Sequence, residues 1–390
     1  MPLARRHLDA SRGMPPRPRR MNDSVPLAAP RSAPHDTSPP AGVVSIAPEA
    51  LVAWAIDVFV ALGCAPREAG QVARGLVQAN LYGHDSHGIG LVPQYVENVR
   101  GGHAVPGREP SVVVDAGAVV ALDGEKGFGQ AIGERAMAVA IERARAHGCA
   151  VVGLSNTHHL GRIGQWGEQC AHAGLVSLHF VNVRSRPLVA PWGGTDARVS
   201  TNPFCVAVPN APHPVVLDYA TAAVALGKTR VAVDEGRAMH DGLLLDAAGA
   251  PTTDPRVMWE PPYGAILPFG GHKGWALSLM CEIVGGALSG GHAQDGGTRH
   301  PMLNNMTTFV VDPARLGTAD ALPHEIANLA AWVRASPPAP GADPVSLPGE
   351  PERRMAAQRR SALPLPPRTH AQLVAVAASL GLRAPQGVAP

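Results

Sequence analysis

Histidines lie beside acids, hydroxyls and glycines at several points in the chain. His84-Asp85-Ser86-His87-Gly88 is the first. Asp85 or Ser86 can cap a helix that opens there, and the partial positive charge of a helix N-terminus favours a neutral imidazole at His87. A neutral imidazole can donate a hydrogen bond to a substrate carbonyl or to a cofactor. The same residues also suit an ordinary cap with solvated histidines. Asn156-Thr157-His158-His159-Leu160-Gly161 follows an apolar strand and precedes a helix, where α/β folds place ligand loops. A histidine there can take a proton from a hydroxyl while hydride leaves the same carbon. Adjacent histidines point different ways, so at most one of the two is catalytic, and a satisfied polar loop is the alternative.

Three weaker groups follow. Trp192-Gly193-Gly194 with Ser200-Thr201-Asn202-Pro203 combines close backbone approach with side chains that can meet phosphate or ribose oxygens, or is simply a turn. Asp218-Tyr219-Ala220-Thr221 with Gly227-Lys228 offers an acid for a ribose hydroxyl or a histidine, and a lysine for a phosphate. Taken alone, that segment also fits a helix cap with a solvated lysine. Gly270-Gly271-His272-Lys273-Gly274 opens a long apolar helix and forms a potential anion site, though a plain loop-to-helix turn has the same signature. Gly127, Gly129 and Gly133 imitate a dinucleotide fingerprint. The next strand runs into Ser155-Asn156 with no acid, so these glycines are expected to form a turn.

The elements that must hold these groups are legible as apolar periodicity. Pro48 starts a helix ending near Gly63, with Leu51, Trp54, Val58 and Leu62 on one face. A second helix follows Pro66, and a third is expected to open at Asp85-Ser86 and carry Val92, Tyr95, Val96 and Val99. After Gly117 strands alternate with helices: Val119–Leu122, Glu134–His147, Ala150–Leu154, Gly164–Ala173, Leu175–Val183, Phe204–Val208, Val215–Tyr219, Lys273–Leu288 and Thr307–Val311. The fold class is therefore α/β, with a central mixed sheet domain over residues 118–311 and a helical domain over 43–117 joined by a C-terminal segment, 312–390. Residues 336–351 are Pro-rich and fit a linker, and Thr369–Leu382 fits a closing helix. Residues 1–42, rich in Arg, Pro and Ser, are expected to form a disordered leader, with Met14 and Met21 as alternative starts.

Composition narrows the functional classes. The 390 residues carry a net charge of +2, too small to imply a nucleic-acid or membrane partner. No apolar run is long enough to span a bilayer. Five scattered cysteines without CxxC spacing fit reduced thiols in a cytoplasmic protein.

Taken together and in order, Asp85-Ser86-His87-Gly88, the Asn-Thr-His-His-Leu-Gly loop, Ala190-Pro191-Trp192-Gly193-Gly194, Thr201-Asn202-Pro203, Asp218-Tyr219-Ala220-Thr221, Gly227-Lys228, Pro251-Thr252-Thr253-Asp254-Pro255, Lys273-Gly274 and Leu347-Pro348-Gly349-Glu350 resemble the malate/L-lactate dehydrogenase-like family. Gly83 to Gly90 and Gly161-Arg162-Ile163-Gly164 look most like its hydroxycarboxylate dehydrogenase branch. The resemblance spans roughly Val43 to Leu382. It implies a non-Rossmann fold that binds NAD or NADP and a homodimer acting on a small 2-oxoacid or 2-hydroxyacid. It also implies His159 as the acid/base group and Ser86 and His87 at the substrate and nicotinamide end. Cofactor contacts are implied at His87, Gly161, Arg162, Ile163, Thr201, Asn202, Pro203, Leu217, Asp218, Tyr219, Ala220, Lys228, His272, Lys273, Gly274, Asn304, Gly349 and Glu350. Asp218 is included among the catalytic candidates.

The chain departs from the family pattern at two positions. Leu91 stands where many members carry an arginine able to clamp a substrate carboxylate, and Ala222 stands where many have serine. A leucine supplies no charge-assisted hydrogen bond. This favours a substrate with a larger apolar side chain, with Leu91 and Tyr95 on the substrate side and Arg184 or Arg186 receiving the carboxylate. The expected reaction is hydride transfer between NAD(P)H and C2 of such an acid. Two alternatives are a metal-dependent hydrolase using His84, Asp85, His87, His158 and His159, and a homologue that binds cofactor without turnover.

Overall fold

The computed structural model describes residues 42–296 and 302–387. The expected leader therefore lies outside the described residues, apart from Gly42.

The chain opens with β1 (Val44–Ile46), α1 (Pro48–Ala61) and α2 (Pro66–Leu81). Pro48 and Pro66 sit in the first turns of their helices, where a missing N–H costs nothing. Leu51, Trp54, Ala55, Val58 and Phe59 bury one stripe of α1. The third helix, α3 (Val92–Arg100), begins later than expected, after two 3-10 turns, Asp85–His87 and Ile89–Leu91. Neither Asp85 nor Ser86 caps it. Gly88 is extended, and the Asn80 side chain accepts from Ile89 N at 2.6 Å, which ends one turn and starts the next.

A hairpin follows, β2 (Ser111–Ala116) and β3 (Val119–Asp123). The sheet thus starts before Gly117, and that glycine, with φ of 74°, turns the hairpin instead of separating layers. Next come α4 (Gly129–His147), β4 (Cys149–His158), α5 (Gly164–His172), β5 (Val176–Arg184), β6 (Pro203–Val208) and β7 (Val215–Ala220). The chain continues through α6 (Leu226–Asp234), β8 (Leu244–Leu245), β9 (Pro251–Thr252), β10 (Ala265–Ile266), α7 (His272–Met280) and β11 (Leu303–Val311). It ends with α8 (Ala321–Arg334), α9 (Glu350–Gln358), β12 (Leu363–Leu365) and α10 (Pro367–Ser379).

Seven strands form the central sheet in the order β2-β3-β4-β11-β5-β6-β7. Only β3 and β4 are parallel, and α4 is their crossover; every other neighbouring pair is antiparallel. A mostly antiparallel sheet is not a doubly wound Rossmann sheet, in agreement with the expected fold class. Val120, Leu122, Val152, Leu154, Val181 and Met306 pack with α4 and α5 on one face. On the other face, α7 passes into a π-helical stretch, Cys281–Ala287, where a continuous α-helix was expected. Gly285 presses so close to β5 that a Cβ would stand 2.7 Å from Phe180 O.

A separate helical core joins Leu51, Phe59, Leu76 and Tyr95 to Leu363, Leu365 and Leu373 from the chain's end. β12 pairs antiparallel with β1, which draws that end back onto the helical layer.

Candidate active site

β4 delivers His158 and His159 to the junction between sheet and helical core. The two rings have separate fates. His158 is fully buried, with Nε2 hydrogen-bonded to the Asn98 side-chain amide at 2.8 Å. Burial pushes its pKa down to about 3. It is a core histidine packed edge-on to Tyr95 and Phe128.

His159 faces the turn from the first helical layer. Its ring stacks on that of His87, with centroids 5.4 Å apart and planes inclined by 22°. Both rings are tethered through Nδ1 to a hydroxyl: Tyr95 Oη lies 2.7 Å from His159 Nδ1, and Ser86 Oγ lies 2.9 Å from His87 Nδ1. Among the described residues no hydrogen bond engages either Nε2. Burial pushes both imidazoles toward the neutral form: His87 to about 4, and His159 well below its ordinary value.

The backbone around His159 is held from two sides. Asn304 Oδ1 accepts from Leu160 N at 2.8 Å. Gly129, at the start of α4, lies so close beneath the loop that a Cβ would stand 2.1 Å from His159 O. Gly133 makes similar room for Trp166. Gly129 and Gly133 thus belong to α4 and permit close approach, where a turn was expected, while Gly127 does close a turn before α4, donating to Gly124 O at 2.7 Å.

The Ser86-His87 turn is clamped from the far end of the chain. Arg359, just after α9, donates to both Asp85 carboxylate oxygens at 2.8 and 3.0 Å, and Asn80 Nδ2 donates to Asp85 at 2.6 Å. Gly227 packs against Ser86, where a Cβ would meet Ser86 Cβ at 2.8 Å. The Gly227-Lys228 segment is thereby brought to the histidine pair, with the Lys228 side chain exposed in the first turn of α6.

Several expected cofactor residues also converge. Asp218 on β7 accepts from Gly164 N at 2.7 Å, next to the Gly161–Ile163 turn. Burial raises the Asp218 carboxyl pKa against the opposing pull of Arg162. Thr201 O accepts from Thr221 N at 2.9 Å, and Pro203 and Ala220 are cross-strand partners. Leu217 and Tyr219 alternate with Asp218 along β7, and Gly349, with φ of 88°, approaches Val216 at its edge. His272 and Lys273 are exposed in the first turn of α7, after Gly270 and Gly271, both in the left-handed region.

Five side chains have contacts other than those expected. Asp218 does not orient His159: Tyr95 does, which moves Tyr95 from the substrate wall into the histidine's support. Asn202 is committed to the fold, accepting from Val183 N at 3.1 Å and donating to buried Glu282 at 2.7 Å. Arg162 is buried against Glu168 and lies over the Tyr82 ring. Glu350 accepts from Leu347 N at 2.8 Å and pairs with Arg334.

The substrate-side candidates are not all gathered at His159. Leu91 is half-buried against the helical core. Arg186 donates to Met258 O at 2.9 Å and lies over Tyr263, which makes it a poor carboxylate clamp. Arg184 lines a cavity of about 280 Å³ with Asp123, Ser155, Asn156 and Asn305, and its buried Nε has no partner. That cavity opens at the same end of β4, but His159, His87 and Leu91 are not among its walls.

Residues missed by sequence reasoning are Asn98, Gln130, Glu282 and Arg359. Asn98 was the most accessible: it lies three residues after Tyr95, so both face the same side of α3, a polar pair on an apolar stripe. No local signal marks Arg359, which meets Asp85 across 274 positions of sequence.

Residues 46–374 match the sequence family described as malate/L-lactate dehydrogenase. Hydroxycarboxylate dehydrogenase B of Escherichia coli K12 is 49% identical over 298 residues, covering 75% of this chain and 82% of that protein. An L-lactate dehydrogenase of Cupriavidus necator is 39% identical over 339 residues, covering 84% and 96%. The solved sulfolactate dehydrogenase of Methanocaldococcus jannaschii superposes with a TM-score of 0.79 at 30% identity, covering 87% of this chain and 98% of that one.

Proposed function

Because the chain belongs to the malate/L-lactate dehydrogenase family, we propose that it transfers hydride between NAD(P)H and C2 of a 2-oxo/2-hydroxy carboxylic acid with a larger apolar side chain. The observation that carries this is the stacked His87–His159 pair, each Nδ1 tied to a hydroxyl and each Nε2 left for a ligand. Neutral His159 takes the proton of the C2 hydroxyl at Nε2, and neutral His87 hydrogen-bonds the same oxygen or the cofactor's carboxamide. When bound, the nicotinamide accepts or returns the hydride.

The residues present suit such a cofactor. The first turn of α7, with Lys273 and two glycines at positive φ, offers backbone N–H groups and charge to a pyrophosphate. Lys228 adds a second cation beside Ser86, and the Gly161–Ile163 turn and the Leu217–Ala220 end of β7 form the opposite wall. Thr201 to Pro203 contribute through backbone, since the Asn202 amide is engaged elsewhere. Among the described residues no three His, Cys, Asp or Glu side chains converge as metal ligands, and the family match favours the dehydrogenase reading over the hydrolase alternative.

Substrate preference is the finer part of the proposal. Leu91 supplies no charge, so Arg184, whose guanidinium pairs with Asp295 at 3.5 Å and would exchange that partner for the substrate carboxylate, is preferred over Arg186, which donates to Met258 O. Each added methylene buried on the substrate contributes about 0.8 kcal/mol, roughly a factor of four. A panel of 2-oxoacids followed by NADH and NADPH absorbance is expected to show phenylpyruvate ahead of oxaloacetate, and Leu91→Arg to move the ratio toward oxaloacetate. Wild type that already prefers oxaloacetate, or an unchanged ratio in the variant, sinks the idea.

We also place the enzyme in the cytoplasm as a homodimer. Its five cysteines are all unpaired, which fits a reducing compartment. No helix among the described residues is long and apolar enough to cross a membrane. Leu279, Met280, Ile283 and Leu288 are exposed along α7 and its π-helical continuation, an apolar face that a second copy would cover. Sedimentation of the purified chain at micromolar concentration is expected to give a dimer, and Ile283→Glu a monomer; a monomeric wild type would overturn this placement.

A further inference from the structure

Arg359 has no place in the mechanism so far, yet its guanidinium meets the turn that carries His87. It follows α9, near the chain's end, and its side chain is 17% exposed. Nη1 donates to Asp85 Oδ1 at 2.8 Å and to Asn80 O at 2.5 Å, and Nη2 donates to Asp85 Oδ2 at 3.0 Å. The planar fork thus joins the last turn of α2 to the residue before Ser86. Asn80 closes the ring from the other side: Nδ2 donates to Asp85 Oδ1 at 2.6 Å, and Oδ1 accepts from Ile89 N at 2.6 Å. Gly88 leaves room for that amide, since a Cβ there would stand 2.1 Å from Asn80 Oδ1. Two more side chains of α9 reach the same corner. Met355 packs under Gly83, and Glu352 lies 3.8 Å from His84 Nε2.

The turn has little to hold it otherwise. Asp85–His87 is one 3-10 turn, none of its three residues is buried, and no side chain caps it. Such turns are poorly bonded, and ring stacking adds only a weak preference. The direction of the His87 ring therefore depends on how the two ends of the turn are anchored. Asn80 anchors the Ile89 end, and the Asp85 end rests on Arg359 and Asn80 together.

We propose that Arg359 is a positioning residue for the reaction: acting through Asp85, it fixes the Ser86–His87 turn so that the His87 ring stays stacked on His159. The segment that follows α9 thereby completes the site from the far end of the chain.

The kinetic arm of the test rests on the hydroxyacid dehydrogenase proposal; the spectroscopic arm does not. His87 is followed by NMR in ¹³C-histidine-labelled, ligand-free, full-length protein and assigned with His87→Gln. The charged and titratable groups around it are His84 and Asp85 on its own turn, His159 across the stack, Arg162 after β4, Glu352 on α9 and Lys228 on α6. In wild type, burial pushes the His87 pKa down to about 4, so its signal should stay flat from about pH 8 to about pH 5. In Arg359→Met the turn loosens, the ring gains water, and the pKa should climb toward about 6.5. Asp85→Asn should move it the same way. Charge alone predicts opposite directions, because one variant removes a cation and the other an anion. His179, buried in the sheet with a pKa pushed down to about 3, should stay flat in both.

For hydroxyacid oxidation, each variant should lower kcat/KM about tenfold to a hundredfold. The double variant should be no worse than the worse single one, because the two residues act as a unit. Arg359→Lys keeps the charge but not the fork, so it should show the same changes at smaller amplitude, and it carries the test where Arg359→Met does not fold. A flat His87 signal in the Arg359 variants, opposite shifts in Arg359→Met and Asp85→Asn, or losses that multiply in the double variant overturn the proposal. A shifted His87 titration with no turnover on any 2-oxoacid supports the clamp and counts against the reaction.

Discussion

His159→Ala is expected to lower turnover by about two to four orders of magnitude, the usual range for a lost acid–base group. Cofactor affinity, read by fluorescence titration with NADH, should hardly change, because the residues proposed to face its phosphates lie on α6 and α7, separate elements from the His159 loop. His158→Ala should cost far less turnover and more stability, since the His158 ring fills a core position and bonds the Asn98 amide. The pH dependence has a definite sign. Burial lowers the His159 pKa well below its ordinary value, so the neutral, proton-accepting form persists as pH falls through 6.5. The kcat/KM for oxidation should therefore show no loss centred near 6.5 from this residue, and its acid limb should lie lower. His159→Ala retaining more than about a third of wild-type turnover, above any such loss, would remove His159 from the mechanism.

Gly129→Ala should be nearly as damaging, without touching any reacting group. The added Cβ would stand 2.1 Å from His159 O and 2.6 Å from Leu160 Cα, and both are backbone atoms that no side-chain rotation can move aside. The loop must lift or α4 must retreat. Overpacking of this kind costs about 1–3 kcal/mol, and a displacement of about 1 Å at a reacting group can cost about a hundredfold in rate. The expected result is a folded protein with a lowered melting temperature and turnover reduced by at least an order of magnitude. Gly296→Ala is the control, because a Cβ there meets nothing within 4 Å. Near-normal turnover in Gly129→Ala would mean that the loop tolerates displacement and that its close seat on α4 does not position His159.

The two predictions differ in how they could have been reached. His159 stands out in the sequence because a histidine pair follows an apolar strand and precedes a glycine. Gly129 was expected to form part of a turn, and its real constraint, the His159 carbonyl just past the end of β4, is a contact between segments thirty residues apart. Asp218 is a similar case. Its chemistry allowed it to orient a histidine, but the register of β7 against β6 sets it beside the Gly164 backbone instead.

Local chemistry was enough to identify every strand of the central sheet except β2, most of the helices, the absence of a Rossmann fingerprint and the histidine loop, but not the short strands β1, β8, β9, β10 and β12. Alternation, helix-breaking glycines and prolines, and the run of motifs act over a few residues and survive in a one-dimensional reading. The division of labour among polar side chains was decided only by tertiary structure. Which histidine is buried, which hydroxyl holds Nδ1, and whether Asn202 meets a ligand or Glu282 depend on which distant donors and acceptors burial forces together. Each polar group leaving water must find a partner, and that partner is chosen by packing, not by neighbourhood in sequence. Arg359 shows the rule at its longest reach: it holds Asp85 from near the chain's end because β12 pairs with β1 and draws α9 alongside the first helices.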